Sequence, residues 1–136
     1  MITFLRHLLS DRRGATAVEF ALAAPIYFVA LFALVETGRL AYAQGAVIFA
    51  AQETTRYATV HYDATEDELK SVAAERVIAL RKERITEVAV DSVLNAADQT
   101  KRITVALRYR HELLLPLLGD GSITLAGESR GFLVER

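Results

Sequence analysis

The spacing of apolar residues changes twice along the chain. From Ala15 to Val35, 21 residues, the sequence is apolar almost without interruption and carries one charge, Glu19. At ~1.5 Å rise per residue this is roughly 31 Å of helix, the thickness of a bilayer's hydrocarbon core. Beyond Val35 the apolar positions recur at helical spacing, with Leu40, Ala43, Val47, Ala50 and Tyr57 on one face and Thr54 in register. One helix is therefore predicted from Ala15 to about His61, 47 residues and ~70 Å long. A small domain cannot bury so long a helix, so its upper part is expected to need partners. Gly38 and Gly45 each cost a helix about 1 kcal/mol relative to alanine. They are either tolerated, or they mark a bend, a local unwinding or the close approach of another helix. Pro25 lacks an amide donor and is expected to kink the segment or free the carbonyl of Ala21.

The helical pattern breaks between Tyr62 and Thr65. Thr65-Glu66-Asp67-Glu68 reads as a capping box, with Thr65 as N-cap, Glu68 reaching back and three acids complementing the dipole of the first turn. The second helix predicted from there runs to about Arg84. Leu69, Val72, Ala73, Val77 and Leu80 form its inward face, and Lys70, Glu75, Arg81 and Lys82 its outward one.

After Ile85 the period falls to two. Val88 and Val90 alternate with Glu87 and Asp91 in a first strand, and residues 95–100 are turn-like. In the second strand, Arg102 to Glu112, Ile103, Val105, Leu107 and Tyr109 face one way and Thr104, Arg108 and Arg110 the other. Leu113 to Leu118 is an apolar patch broken by Pro116, a loop or edge segment, and Gly119-Asp120-Gly121 is a turn. In the last strand, Ser122 to Val134, the apolar phase slips between Leu125 and Phe132, which points to a bulge near Gly127 or Gly131. The predicted fold class is α+β. It comprises a long N-terminal helix with a membrane-spanning lower half, a second helix and a small antiparallel sheet of about three strands.

Charge adds an orientation. Of the net −1, residues 1–14 (MITFLRHLLSDRRG) contribute +2, leaving −3 for the rest. Arg6, Arg12 and Arg13 precede the apolar run, while Glu36 and Arg39 after it nearly cancel. The N-terminus is therefore read as cytoplasmic and the bulk of the chain as lying across the membrane, in a bacterium the periplasm. No basic patch of the kind nucleic acid requires is present. The absence of cysteine excludes disulfides and thiolate metal sites. His7, His61 and His111 have no neighbours at ligand spacing, and capping explains Glu66, Asp67 and Glu68 without a cation. With no phosphate loop and no Ser/His/Asp set, no catalytic residue, metal or cofactor is expected.

The unusual chemistry belongs to Glu19. A carboxylate at the centre of a span costs roughly 2.5–3.5 kcal/mol on insertion scales, less near the interface. If the chain is cut after Gly14, Ala15 gains a free amine with an ordinary pKa of about 7.7–8.0. Glu19 then lies one helical turn from that amine. The two can neutralise each other within one chain or between neighbouring helices, and desolvation strengthens the pair. The alternative is a Glu19 at headgroup depth that snorkels and has no partner. The residues alone leave both open.

Three stretches carry a resemblance. Arg13-Gly14-Ala15-Thr16-Ala17-Val18-Glu19-Phe20-Ala21-Leu22 with Pro25, then Glu36-Thr37-Gly38-Arg39, then Ala51-Gln52-Glu53-Thr54-Thr55-Arg56-Tyr57-Ala58 resemble the TadE-like pseudopilins of the tight-adherence (Flp, type IVc) pilus system. Thr37 stands where the family has an aromatic residue. The resemblance implies a minor pilin precursor with residues 1–14 as a prepilin leader, 15–61 as the long helix with its membrane span at about 15–35, and 62–136 as a periplasmic domain. It implies a cut between Gly14 and Ala15 by a prepilin peptidase, with Phe20 completing the signal and Glu19 aligning the subunit or engaging a neighbour. Glu36, Gly38 and Arg39 form a second landmark on the helix. The implied partners are the peptidase, other pilins and pseudopilins, the inner-membrane assembly platform and membrane lipid. Two rivals compete with this reading. One is a secreted protein cut after Ala41-Tyr42-Ala43; the other is an uncleaved single-pass anchor carrying a periplasmic interaction domain.

Overall fold

A computed structural model describes residues 14–77, 80–95, 100–114 and 121–134. Helix α1 is Ala15–Val60 and helix α2 Glu66–Arg76; a 3-10 turn, Lys82–Arg84, leads into the strands β1 (Ile85–Asn95), β2 (Thr100–Glu112) and β3 (Ser122–Val134). The three strands form one antiparallel sheet in the order β1-β2-β3. The expected α+β architecture is present. Two compact units divide the chain between Glu36 and Thr37.

The first unit, as far as it is described, is helix. From Val18 to Val35 its large apolar side chains are exposed, Leu22 and Ile26 each by 72%. Helix α1 is long and apolar enough to cross a bilayer, and none of its apolar window is buried. It is assigned as one helix through Pro25, as the loss of a single donor allows.

In the second unit the remainder of α1 and all of α2 lie on one face of the sheet. The buried face of α1 is Ala43, Val47, Ala50, Ala51, Thr54, Thr55 and Ala58, in the register predicted from the period of 3.6. Its own sheet covers that face, while Tyr42 and Phe49 on the other side stay exposed. Thr54 and Thr55 tolerate burial because their hydroxyls donate back to the carbonyls of Ala50 (2.8 Å) and Ala51 (2.9 Å). From the sheet, Ile103, Val105, Leu107, Tyr109 and Leu125 complete the core, and Leu69, Ala73 and Val77 close it from the α2 side.

The small side chains of α1 meet glycine in β3. A methyl group at Gly127 would stand 2.9 Å from both the backbone carbon and the oxygen of Val47, and one at Gly131 2.6 Å from Thr55 Cγ2. These glycines are not bulges, contrary to expectation. Strand β3 pairs with β2 in unbroken register from Ser122↔Glu112 to Val134↔Thr100, and the irregularity lies in β1 between Ile85 and Glu87. The apolar phase slips in β3 because the helix backbone occupies the space where side chains would stand. Gly38 and Gly45, by contrast, face open space within the chain.

Two further boundaries differ. Helix α2 ends at Arg76 and not near Arg84. Val77 is buried and Leu80 packs on the core, so the apolar spacing outlives the helix. Thr65 caps α2 as predicted, accepting from the Glu68 amide at 3.3 Å, but the Glu68 carboxylate turns to the Tyr57 hydroxyl (2.8 Å) and does not reach back. At the β2–β3 end the Leu113 amide donates to Gly121 O at 2.8 Å, and Gly121 takes φ +71°, a left-handed conformation that favours glycine. Residues 1–13, Leu115 to Asp120 and most of the predicted 95–100 turn lie outside the described residues.

Candidate functional site

The residues predicted for processing gather at the start of α1. Gly14 is exposed, and Ala15 is the first residue of the helix, so the Gly14–Ala15 bond lies where regular hydrogen bonding begins. A Cβ at Gly14 would meet nothing within 4 Å. Glu19 is exposed one helical turn on, and Phe20 beside it is 70% exposed. Glu19 has no partner among the described residues. Glu36, Gly38 and Arg39 follow on the same helix, more than four turns further along, so the landmarks are strung out along α1 and do not converge on a pocket. Arg12 and Arg13 lie outside the described residues.

Higher on α1 a shallow apolar groove is lined by Ala41, Tyr42, Gly45, Ala46 and Phe49. It lies on the exposed side of the helix, and Gly45 forms its floor between two aromatic rings. Sequence reasoning noted Gly45 but missed the groove; the signal was the spacing of Tyr42, Gly45 and Phe49 on one face.

The polar contacts nearby are structural. Arg56 grips Glu53 with two hydrogen bonds, Nε to Oε1 at 3.1 Å and Nη2 to Oε2 at 2.8 Å. Arg56 holds the Glu53 carboxyl below the usual carboxylate range, and Glu53 raises Arg56 in turn. The hydrogen bond from Tyr57 to Glu68 pushes the phenol up. The Tyr57 ring also stacks on His61, 3.9 Å between centroids. His111 is buried at the end of β2. Lys70 pairs with Glu66 and Asp67, which accounts for two of the three acids of the capping box. Among the described residues no three His, Asp or Glu side chains lie close enough to hold a metal ion.

This geometry offers an exposed apolar helix with one acid near its start. The TadE family model, described as TadE-like protein, matches residues 14–56. The matched segment is TadE-like. TadE-like proteins are associated with the Tad pilus. With its one apolar helix, the TadE-like segment is consistent with a single-pass membrane protein. No curated protein and no solved structure gives a significant match. The TadE-like match begins at Gly14 and ends at Arg56, so it takes in the predicted cut, Glu19, the second landmark, the groove and most of the seam against the sheet.

Proposed function

We propose that this chain is a minor pilin precursor of a Flp/Tad-type pilus, cut between Gly14 and Ala15 by a prepilin peptidase. The observation that carries the reading is the start of α1. An exposed glycine precedes the first helical residue, and a lone acid follows one turn later in a helix exposed and apolar enough to span a bilayer.

Before the cut, Glu19 enters the apolar segment uncompensated. After it, the amine of Ala15 lies four residues away, ~6 Å along the axis, close enough for the side chain to close the gap. A carboxylate near a helix N-terminus gains a further ~0.3–1 kcal/mol from the backbone dipole. Paired between chains, the same two charges reward one stagger of neighbouring helices and penalise the others. The protein then primes or supports pilus assembly through this pair and through helix packing at the Tyr42–Phe49 groove, which fits the helix of a sibling pilin. The N-terminus is cytoplasmic, the span lies in the inner membrane, and the sheet faces the periplasm within reach of the assembly platform.

Intact mass of the protein extracted from its native membrane tests the cut. The expected species begins at Ala15. A mature chain that retains Met1 to Gly14 means an uncleaved anchor, and one beginning at Gln44 means a secreted protein. Glu19→Ala is expected to abolish pili while the chain is still processed; normal piliation in that variant refutes the assembly role.

A further inference from the structure

We infer that the outer face of the sheet is a contact between two copies of this chain, centred on Asp91 and Arg102. In β2, Ile103, Val105 and Leu107 are buried toward the helices, so the residues that alternate with them point to the opposite face. On that face Asp91 of β1 lies opposite Thr104, and the next outward row across the three strands is Val93, Arg102 and Phe132. The other charges there are matched within the chain. Arg108 pairs with Glu87 at 3.3 Å and Arg130 with Glu128 at 2.7 Å. Asp91 and Arg102 are both exposed, and neither has an ion pair or hydrogen bond among the described residues. Arg102 is flanked instead by exposed apolar side chains, Val93 at 45% and Phe132 at 67%.

A free acid diagonally beside a free base makes the face complementary to itself. A two-fold axis between two facing sheets sets Asp91 of each copy against Arg102 of the other. The spacing of the sheet, about 4.8 Å between strands and about 6.8 Å between successive outward residues, fixes where that axis lies. It passes close to Thr104, so the two Thr104 side chains face each other. The same axis carries Phe132 of each copy over the space between Ala89 and Ala106 of the other. Those two alanines are opposite each other in the register and played no part in placing the axis. Their short side chains leave room for the ring, so the charge match and the shape match come from one operation. The strands of the two copies then cross at roughly 70°, toward the orthogonal way of stacking sheets. Three strands crossing three cover on the order of 300 Å² per copy, below the ~800 Å² of a standard interface. The contact is therefore weak between free chains and takes effect where copies are held side by side, as in one membrane.

The chain contains no cysteine, so Thr104→Cys gives the full chain one thiol beside the axis. Thr124→Cys gives one on the same face, six residues from Arg130 and so about 20 Å along β3. A short bis-maleimide is applied to membranes that contain equal amounts of either variant. Thr104→Cys is expected to yield a covalent dimer and Thr124→Cys little. In the Thr104→Cys background, Asp91→Arg or Arg102→Asp sets like charges together at both ends of the contact and should lower the dimer at least about fivefold. Neither charge has a partner in its own chain, so an unchanged melting temperature shows that each variant still folds. Made together with different tags, the Asp91→Arg and Arg102→Asp chains match each other again. The mixed dimer should return while the dimer of each chain with itself stays low. The inference is overturned if Thr104→Cys gives no dimer, if the dimer ignores both reversals, or if Thr124→Cys dimerises as readily. A product joining Thr104→Cys to a different protein also overturns it. The mass of the cross-linked species reports its first residue separately, so the cut after Gly14 stands or falls apart from this contact.

Discussion

Replacing Gly127 with alanine tests whether helix α1 is seated on backbone. The added methyl group would stand 2.9 Å from the carbon and oxygen of Val47, both main-chain atoms that no rotamer change can move. Either α1 shifts outward along the whole seam from Ala43 to Ala58, or β3 bends away. Overpacking of this kind costs about 1–3 kcal/mol. Alanine in a strand recovers roughly 0.5–1 kcal/mol of the conformational entropy that glycine loses. The net expectation is a loss of ~1–2 kcal/mol, or a fall in melting temperature of about 4–8 °C per kcal/mol in a unit of this size. Gly131→Ala meets a different obstacle, the Thr55 methyl group at 2.6 Å. That methyl is held in place because the Thr55 hydroxyl donates to Ala51 O. Thr55→Ser removes the methyl and keeps the donor, so Gly131→Ala combined with Thr55→Ser should recover most of the stability that Gly131→Ala alone loses. Thr55→Ser should not rescue Gly127→Ala. Unfolding of the full chain in micelles is followed by tyrosine emission, which no tryptophan obscures. A neutral or stabilising Gly127→Ala, or equal rescue of both glycine variants, refutes the seating of the helix on backbone.

Thr65→Ala removes the side-chain cap of α2 and should cost ~1 kcal/mol in the same assay, whereas Thr65→Ser should be nearly neutral. Tyr57 has a raised pKa because its hydroxyl donates to Glu68, so its contribution is complete below the ordinary tyrosine value of about 10 and is lost as pH rises through the higher folded value. Tyr57→Phe should therefore lower stability at neutral pH and flatten the alkaline decline; an unchanged decline shows that other groups cause it. Glu53 has a lowered pKa from its Arg56 hydrogen bonds, so its contribution is present above the ordinary carboxylate range and lost as pH falls through the depressed value. Glu53→Gln should flatten the acid limb of the stability curve.

Periodic features were legible in the sequence because burial imposes them. Ala43, Val47, Ala50 and Thr54 are buried where the 3.6 spacing placed them, and Ile103, Val105, Leu107 and Tyr109 where the alternation did. The pattern misled where burial and regular structure part company. Val77 and Leu80 are covered although the helix has ended, so their spacing extended α2 too far. Gly127 and Gly131 were legible only as gaps. A gap in an apolar pattern reads as a defect of the strand, and only the alanine-rich face of α1, 82 residues away from β3 at the Gln44–Ala126 contact, shows that the gap is filled by another backbone. The start of α1 was legible in outline because Gly14, Ala15, Glu19 and Phe20 are adjacent in sequence. The Tyr42–Phe49 groove was not, since it depends on which side of the helix the sheet leaves open.

The TadE-like match reaches beyond the apolar run of α1. A span alone would end near Val35, yet the match continues to Arg56, through the Ala43, Val47, Ala50, Ala51, Thr54 and Thr55 seam. The lower half of α1 exposes its large apolar side chains, Phe20, Leu22, Ile26, Tyr27 and Leu34 among them. The upper half reserves its small side chains for one face. A face built from alanine, valine and threonine buries little apolar area per residue, so it holds a sheet firmly only at short range. Short range in turn requires a strand without side chains where the helix lies closest. Gly127 and Gly131, four residues apart and so on the same face of β3, meet that requirement from outside the matched segment. The seam therefore restricts β3 at two positions and leaves its other face unrestricted. Substitutions at Thr124 and Glu128, which point away from α1, should be tolerated, whereas those at the two glycines should not.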